Sequence, residues 1–564
     1  MRNQRRFLFA ATSALLIAGI PALATAKPPP GSPAQGKATT TQVQILALND
    51  FHGQLRPPDS TSSGGRIGST PAGGAEYLAQ YVRDLRATNP NTLFVSAGDV
   101  IGATPLVSAI FHDEPTIEAM NLMGLDYNGV GNHEFDEGPA ELTRMQEGGC
   151  HPTDGCFGGD GFEGADFQFL AANVEYTETG KTIFPPYAVH EFPGVDVAVV
   201  GMTLEGTPSI VTAAATQGLE FKDEADSVNA LVPVLKAQGI ETIIVLLHEG
   251  GSPGASLNES TFNSCVNPTG AAVDVIKRFD TEIDLVVTGH TNWSINCPNF
   301  ANTGIMVTGA ASVGRVITDV DLTISRATKD IVSASINNNI VKRDVFPPAP
   351  DLTALINHYG AIAAPVENRV LGTASAPLTR TGNAAGESSL GDIIADAQLW
   401  ATSGPGWSNG APAVVSFMNA GGIRADINAG PITYGETFSV QPFANVLVTM
   451  DMTGADIDAV LEQQFNGGNG VLQIPASLTY DRSASAPAGS KVSNVRINGV
   501  PLDPSATYRV TVNNFLADGG DSFSVFRNGT NRYVGEIDLD AFARYVEHLG
   551  TVNPGPQNRI NLVA

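Results

Sequence analysis

A chain of 564 residues with 42% hydrophobic and 16% charged side chains has a globular balance, which excludes disorder as its main state, and its length suits roughly two to four domains. Sixty Gly and 36 Pro follow no G-X-Y period, so a collagen-like array is excluded too. A net charge of −26 repels phosphate backbones, so no nucleic-acid polymer is expected as partner, whereas a small phosphate ester stays compatible because a bound metal reverses the local field.

The first 26 residues read as an export signal. Arg2, Arg5 and Arg6 form a positive start, Phe7–Ile20 a short apolar run, and Ala24-Thr25-Ala26 a small-residue cleavage site. About 14 apolar residues ending at Pro21 are too few to span a bilayer. Cleavage removes three Arg and no acid, taking the charge from −26 to −29. The mature protein is expected to be secreted, extracellular or periplasmic, with no integral membrane segment and with its oligomeric state open. Residues 27–40 read as a flexible leader rich in Pro, Gly and Thr. Gly31 to Lys37 nearly forms a phosphate-binding loop, but no Ser or Thr follows and no strand precedes it; Gly159 to Gly164 fits GxGxxG without a preceding strand. Cys150, Cys156, Cys265 and Cys297 are even in number and lack CxxC spacing, so disulfides Cys150–Cys156 and Cys265–Cys297 are expected rather than zinc.

From residue 43 to about 325, Val-, Ile- and Leu-rich runs predict buried strands at Val43–Leu48, Thr92–Ala97, Val195–Val200, Thr242–Leu247 and Asp284–Thr288. Helical spacing lies between them, as at Glu76–Ala87 and Ser227–Gln238, which makes an α/β layered domain. Phe346 to Pro350 is a linker, followed by a helix capped by Asp351 and running to about Val366. A second α/β region carries helices near Leu390–Leu399 and at Gly454–Gln464, and strands Ala413–Met418, Val446–Met450 and Tyr508–Val512. The expected division is 41–345, a linker helix at 346–366, and 367–564.

The polar residues gather at the ends of the predicted strands. Asp50 and His52 follow the first, Asp99 the second, His248 ends the fourth and His290 the fifth, while Asn132 and His133 follow a turn-like stretch at Asp126–Val130. In open α/β sheets the crevice beyond the strands' carboxyl ends is where ligands bind. Four of the nine His lie there, and with Asp and Asn they make a mixed O/N donor set suited to Zn, Mn, Fe or Co; calcium disfavours imidazole. Asp99 is the candidate to bridge two metals.

These residues, as Leu48-Asn49-Asp50-Phe51-His52-Gly53, Gly98-Asp99, Gly131-Asn132-His133-Glu134-Phe135-Asp136, His248 and Gly289-His290-Thr291-Asn292, resemble the bacterial and animal 5′-nucleotidase family of calcineurin-like metallophosphoesterases. The resemblance implies a four-layer α/β/β/α domain plus a C-terminal α/β substrate-binding domain, and two divalent cations, Zn, Mn or Co. By it Asp50, His52 and His290 hold one cation, Asn132 and His248 the other, and Asp99 bridges. Asn292 stands where the family usually has His or Gln, and still offers a carbonyl oxygen. His133 and Asp136 would be the catalytic dyad, and water activated by the metals would attack the phosphorus. In the second region, Asn419 to Arg424 resembles the NGGGIR segment, Gln441 to Asn445 the PFxN segment and Phe515 to Asp521 the FLANGGD segment. The resemblance makes Asn419, Arg424 and Asn445 substrate contacts, has Phe443 and Phe515 sandwich the base, sets Asp521 on the ribose and adds Arg380. The substrate is expected to be a small nucleotide, with 2′,3′-cyclic nucleotides and UDP-sugars as alternatives on the same scaffold. A serine esterase at Gly250-Gly251-Ser252-Pro253-Gly254 is disfavoured because Pro253 removes an N–H next to the Ser. A catalytically inert nucleotide-binding protein would keep the aromatic residues but lose the metal ligands.

Overall fold

Along Thr40–Leu48, Val43, Ile45 and Ala47 are buried on one face and Leu46 and Leu48 on the other, so both faces of this strand are covered. In this computed structural model, residues 39–564 are described, except 59, 61–62, 158–160, 213, 255, 405–406, 408–410, 444, 466–469 and 564. The predicted signal peptide, the leader up to residue 38, Gly31–Lys37, and Gly159 and Asp160 lie outside the described residues.

Two six-stranded sheets stack face to face. The first runs Ile331–Ile340, Val316–Ser325, Thr40–Leu48, Thr92–Ser96, Tyr127–Gly129, Gln168–Leu170. The second runs Ser294–Cys297, Met306–Ala310, Leu285–Thr288, Thr242–His248, Val195–Thr203, Tyr187–Phe192. Between them Val43, Ile45, Val95 and Leu170 meet Val197, Val199, Ile244, Leu246 and Val287. Each such fully buried side chain contributes about 1.5–3 kcal/mol. Ile243, Val245 and Leu247 turn the other way, onto Val228, Val232 and Leu235 of helix Glu224–Ala237. On the far side of the first sheet Leu46, Leu48 and Phe94 pack with Leu78 and Val82 of Ala75–Arg86 and with Ile117 and Met120 of Glu114–Met123. The result is the expected four layers, α/β/β/α.

The stretch Asp126–Val130, expected as a turn, holds strand Tyr127–Gly129, parallel to both of its neighbours. Its composition hides it because the facing sheet comes so close that a Cβ on Gly129 would meet Leu246 at 2.8 Å. Ile331–Ile340 escapes an apolar-run search because as an edge strand it is mostly exposed.

The helix after the linker is Pro350–Glu367, with Pro350 in its first turn; Asp351 does not cap it but pairs with Arg83 at 2.6 Å. Proline's fixed φ starts the helix without a capping side chain. Leu352, Ile356, Tyr359 and Ala363 complete the cluster of Leu78, Phe111 and Ile117, so this helix is packed into the core of the first half.

In the second half the main sheet runs Val415–Ser416, Thr507–Asn513, Val446–Thr453, Thr530–Ile537, flanked by helices Ser389–Ser403 and Gly454–Gln463. The strand expected at Ala413–Met418 is confined to Val415–Ser416, because Met418 leaves it to bridge Gln473 on the way to the Asn419 turn. Two later strands, Thr530–Ile537 and Ile560–Val563, are largely exposed and carry no alternating signal. Both expected disulfides are present.

Candidate metal centre

The strand ends deliver the candidate ligands in an uncommon backbone state. Asp50 (φ 48°), His52 (φ 48°), Asp99 (φ 52°), His290 (φ 66°) and Asn292 (φ 56°) are all left-handed, although none is glycine. Such positions cost roughly 1–3 kcal/mol each and persist where surrounding structure over-determines them. Gly98 shows how tightly the loops are stacked: a Cβ there would lie 2.6 Å from His248 Nδ1 and 2.7 Å from the Gly131 nitrogen.

Two groups form around Asp99. In one, ligand atoms of Asp50, His52 and Asp99 lie within 4.8 Å of one another; in the other, those of Asp99, His248 and His290 do. Asp99 Oδ2 is 3.8 Å from His52 Nε2 and 3.1 Å from His248 Nε2. Asn132 Oδ1 joins the second group, 3.0 Å from His248 Nε2 and 3.0 Å from His290 Nδ1. Asp99 is thus common to both groups. His290 is not with Asp50 and His52, where the resemblance put it. It follows strand Leu285–Thr288, hydrogen-bonded beside Thr242–His248 in the second sheet, whereas Asp50 and His52 come from the first sheet. Asn292 is exposed, and no hydrogen bond joins its side chain to the other candidate ligands among the described residues.

Burial and hydrogen bonding prepare this set for divalent cations. Asp50 Oδ1 is buried without a hydrogen-bond partner. Burial, and then the Asp99 charge, push the Asp50 carboxyl up to about 7. Burial drives His52 and His290 down to about 3, so both offer a neutral nitrogen. His52 Nδ1 faces the Gly102 carbonyl at 2.9 Å and His248 Nδ1 the Ala97 carbonyl at 2.7 Å. Each Nδ1–H donates to its carbonyl and leaves Nε2 toward the cluster. Burial opposes charge on His248, but Asp99 outweighs it and holds the imidazolium up to about 10. Burial likewise opposes charge on Asp99, yet His248 and then His133 hold it well below the carboxylate range. An orphaned carboxylate oxygen, two neutral imidazoles and a shared carboxylate fit a pair of divalent cations.

His133 and Asp136 stand beside this set. His133 Nδ1 is 2.9 Å from Asp136 Oδ2, and its backbone N–H donates to Asp99 Oδ1 at 2.9 Å. Burial opposes the imidazolium, but Asp136 and Asp99 outweigh it and raise the His133 pKa.

Glu134, between Asn132 and Phe135, had no role in the sequence reading. Its buried carboxylate accepts from the backbone of Asp99 (2.9 Å), Val100 (2.8 Å) and Gly131 (2.7 Å) and from Asn128 Nδ2 (3.1 Å), tying two ligand loops together. Only its place inside the motif hinted at this. Asn49 does the same for Asp50, donating to Oδ2 at 2.6 Å and to the Ala311 carbonyl at 2.6 Å. Glu134→Ala is expected to destabilise the chelated protein by about 3 kcal/mol or more, on the order of 1 kcal/mol for each buried donor left unpaired. Urea unfolding measures it, and an unchanged midpoint would show that water replaces the carboxylate.

Side chains of the second half reach the same place. Phe443 stacks on His133 with ring centroids 5.5 Å apart, and the Arg424 guanidinium lies 5.7 Å from the Phe443 ring centre. Burial, and then Arg380, lower the Arg424 pKa. Asn419 Nδ2 donates to Asp521 Oδ2 at 2.8 Å and Asn513 Nδ2 to Asn419 Oδ1 at 3.1 Å. Phe515 packs over Gly520, where a Cβ would lie 2.5 Å from the ring, and makes no ring contact with Phe443 among the described residues. Asn445 is buried with an unpartnered Oδ1. Arg380 is exposed, donates to the Ile423 carbonyl at 3.2 Å and lines a cavity of about 280 Å³ with Ser388 and Gln473. Ser252 of the GxSxG stretch bridges Thr269 and opens no helix.

Residues 43–293 match the calcineurin-like phosphoesterase family, and residues 370–528 match the 5′-nucleotidase C-terminal domain. The chain is 32% identical to the cell wall protein Lmo0130 of Listeria monocytogenes, over 96% of this chain and 71% of that protein. It is also 32% identical to the endonuclease YhcR of Bacillus subtilis, over 90% of this chain but only 39% of that longer protein. The crystal structure of a 5′-nucleotidase precursor from Thermus thermophilus superposes with a TM-score of 0.74 at 28% identity, covering 93% of this chain and 99% of that one.

Proposed function

The chain belongs to the calcineurin-like phosphoesterases that carry a 5′-nucleotidase C-terminal domain, and from that membership we propose that it is an exported hydrolase releasing phosphate from nucleoside 5′-monophosphates. The observation that carries this reading is the meeting of Phe443 and Arg424, from the second half, with His133 beside the Asp99-centred ligands. A base held by one half would set its 5′-phosphate at the ligands of the other.

In this mechanism Asp50, His52 and Asp99 would hold one divalent cation, and Asp99, Asn132, His248 and His290 would hold the other. Zn, Mn or Co suits these donors best. Bound there, the cations supply Lewis acidity and lower the pKa of water. His133, whose imidazolium Asp136 and Asp99 favour against burial, would place a positive charge where negative charge gathers on the phosphoryl oxygens. Arg424, from the second half, would add a second positive charge. Phe443 and Phe515 offer aromatic faces that accept any base, and Asn419, Asn445 and Asp521 offer hydrogen bonds for the sugar. Residues 41–345 form the metal-holding domain and 367–564 the nucleotide-binding domain, with 346–366 between. Export is supported by the pattern of residues 1–26, by the two disulfides and by a relative named as a cell wall protein. No helix among the described residues is long and apolar enough to cross a membrane.

The test is phosphate release from AMP by the purified mature chain, chelated and then supplied with Mn, Zn, Co or Mg. Activity should vanish on chelation and return with a divalent cation. No release with any of the four metals would overturn the monophosphate reading. The relative named as an endonuclease favours a second reading, phosphodiester cleavage, for which 2′,3′-cyclic AMP and single-stranded DNA serve as substrates in the same assay.

A further inference from the structure

Two of the nine histidines lie together outside the site described above. The His112 and His151 rings stack with centroids 3.7 Å apart and planes 15° from parallel. His112 Nδ1 is 2.7 Å from Glu137 Oε2, and its Nε2 is 2.9 Å from Asp154 Oδ2. His151 Nδ1 is 3.4 Å from the same Asp154 oxygen. One ligand atom from each of His112, His151, Glu137 and Glu141 lies within 4.8 Å of the other three. The proposed hydrolysis uses none of these residues.

Several features make this more than a surface ion pair. Both rings are largely shielded, with 18% and 14% of the side chains exposed, and Phe157 packs against His112. His112 is held in the left-handed region at φ 50°, as are Asp50, His52, Asp99 and His290 of the main site. The segment carrying His151 and Asp154 is closed on itself by Cys150–Cys156. Arg144 holds Glu141 in place, its Nη2 and Nε donating to Oε1 at 2.6 and 3.0 Å and its Nε to Oε2 at 2.9 Å, which leaves one lone pair on Oε2. Two imidazoles this close resist carrying two protons, and a shared cation removes that conflict. Without one, the Glu137 hydrogen bond lifts His112 to about 9 against the pull of burial, so one proton sits where a cation would.

We propose that His112, His151 and Glu137, with Glu141 as fourth donor, form a separate zinc site. Imidazole nitrogens with carboxylate oxygens are a tetrahedral zinc set, whereas calcium and magnesium prefer oxygen alone. The site lies at the back of the catalytic loops. Glu137 adjoins Asp136. His112 adjoins Asp113, whose carboxylate accepts from the Gly102 N–H at 3.0 Å, and the Gly102 carbonyl accepts from His52. Zinc there would pin the Asp136 and Gly102 loops together, a consequence that rests on the catalytic reading above; the zinc site itself does not.

The experiment counts zinc. The mature chain is loaded with zinc, freed of excess by gel filtration and analysed for metal per chain, beside His112→Ala/His151→Ala and beside Asp99→Ala, which disables the main site. The double variant should hold one zinc fewer than the unaltered chain, and Asp99→Ala should still hold one. Glu137→Gln, nearly isosteric, keeps the test valid if the double variant does not fold, and should weaken that zinc at least tenfold in a competition titration with a chromogenic chelator. Equal zinc in the unaltered chain and the histidine variant, or an Asp99→Ala chain without zinc, would overturn the proposal. Phosphate release plays no part in the count, so its failure and that of the catalytic reading are separable.

Discussion

His133→Ala is expected to lower kcat for phosphate release by about 10²–10⁴-fold, the range for losing a positioned acid or charge stabiliser, while leaving bound metal unchanged. The separation of the two effects follows from the geometry. His133 belongs to neither ligand group. Its Nδ1 is committed to Asp136 at 2.9 Å, and its backbone N–H, which alanine keeps, is what supports Asp99. Metal lost together with activity would make His133 a ligand and sink the dyad. Asp136→Asn offers a finer readout. In the proposed mechanism His133 acts as the imidazolium, whose pKa is raised by Asp136 first and Asp99 second against the pull of burial. Removing the Asp136 charge lets burial win a larger share, so the alkaline limb of the kcat profile should move to lower pH. A limb that stays in place would mean that His133 does not set it.

The layers and the ligand loops were legible in the sequence for one physical reason. Strands buried on both faces are continuous apolar runs, and the polar residue that ends such a run stands at the sheet's edge. Thr242–His248 is all buried, so His248 stood out at its end. What escaped the sequence has physical causes too. Tyr127–Gly129 contains a glycine that the facing sheet demands, and Ile331–Ile340 is an exposed edge. The grouping of His290 with His248 depends on which sheet each strand joins, and strand order is long-range information that spacing along the chain does not carry. Glu134 was hidden because its four partners come from three separate segments, at Asn128, at Asp99–Val100 and at Gly131. The Phe443 and Phe515 placement rests on motifs alone, since Phe443 lies against His133 here.

Asp99→Ala should cost more than any other single change, with both cations lost and activity reduced by about 10³-fold or more. The argument turns on one atom. Asp99 Oδ2 lies 3.8 Å from His52 Nε2 and 3.1 Å from His248 Nε2, so the two ligand groups share it. Were Asp99 a ligand to only one cation, its removal would leave the other in place, as Asp50→Ala should. Metal analysis in a His112→Ala/His151→Ala background separates the cases, and one cation retained by the Asp99 variant would sink the bridge. The chelated protein gives an independent check through pH. His248 has its folded pKa lifted from 6.5 to about 10, by Asp99 above all, against the pull of burial. A group raised in the folded state stabilises fully below its unfolded pKa and loses that contribution as pH rises through the folded one. Between pH about 7 and about 10 the chelated protein should therefore lose stability, and Asp99→Asn should flatten the loss, because it removes the largest charge that holds the His248 proton. Thermal unfolding across the range measures both slopes. Equal slopes would mean that the Asp99–His248 pair is not what holds the proton.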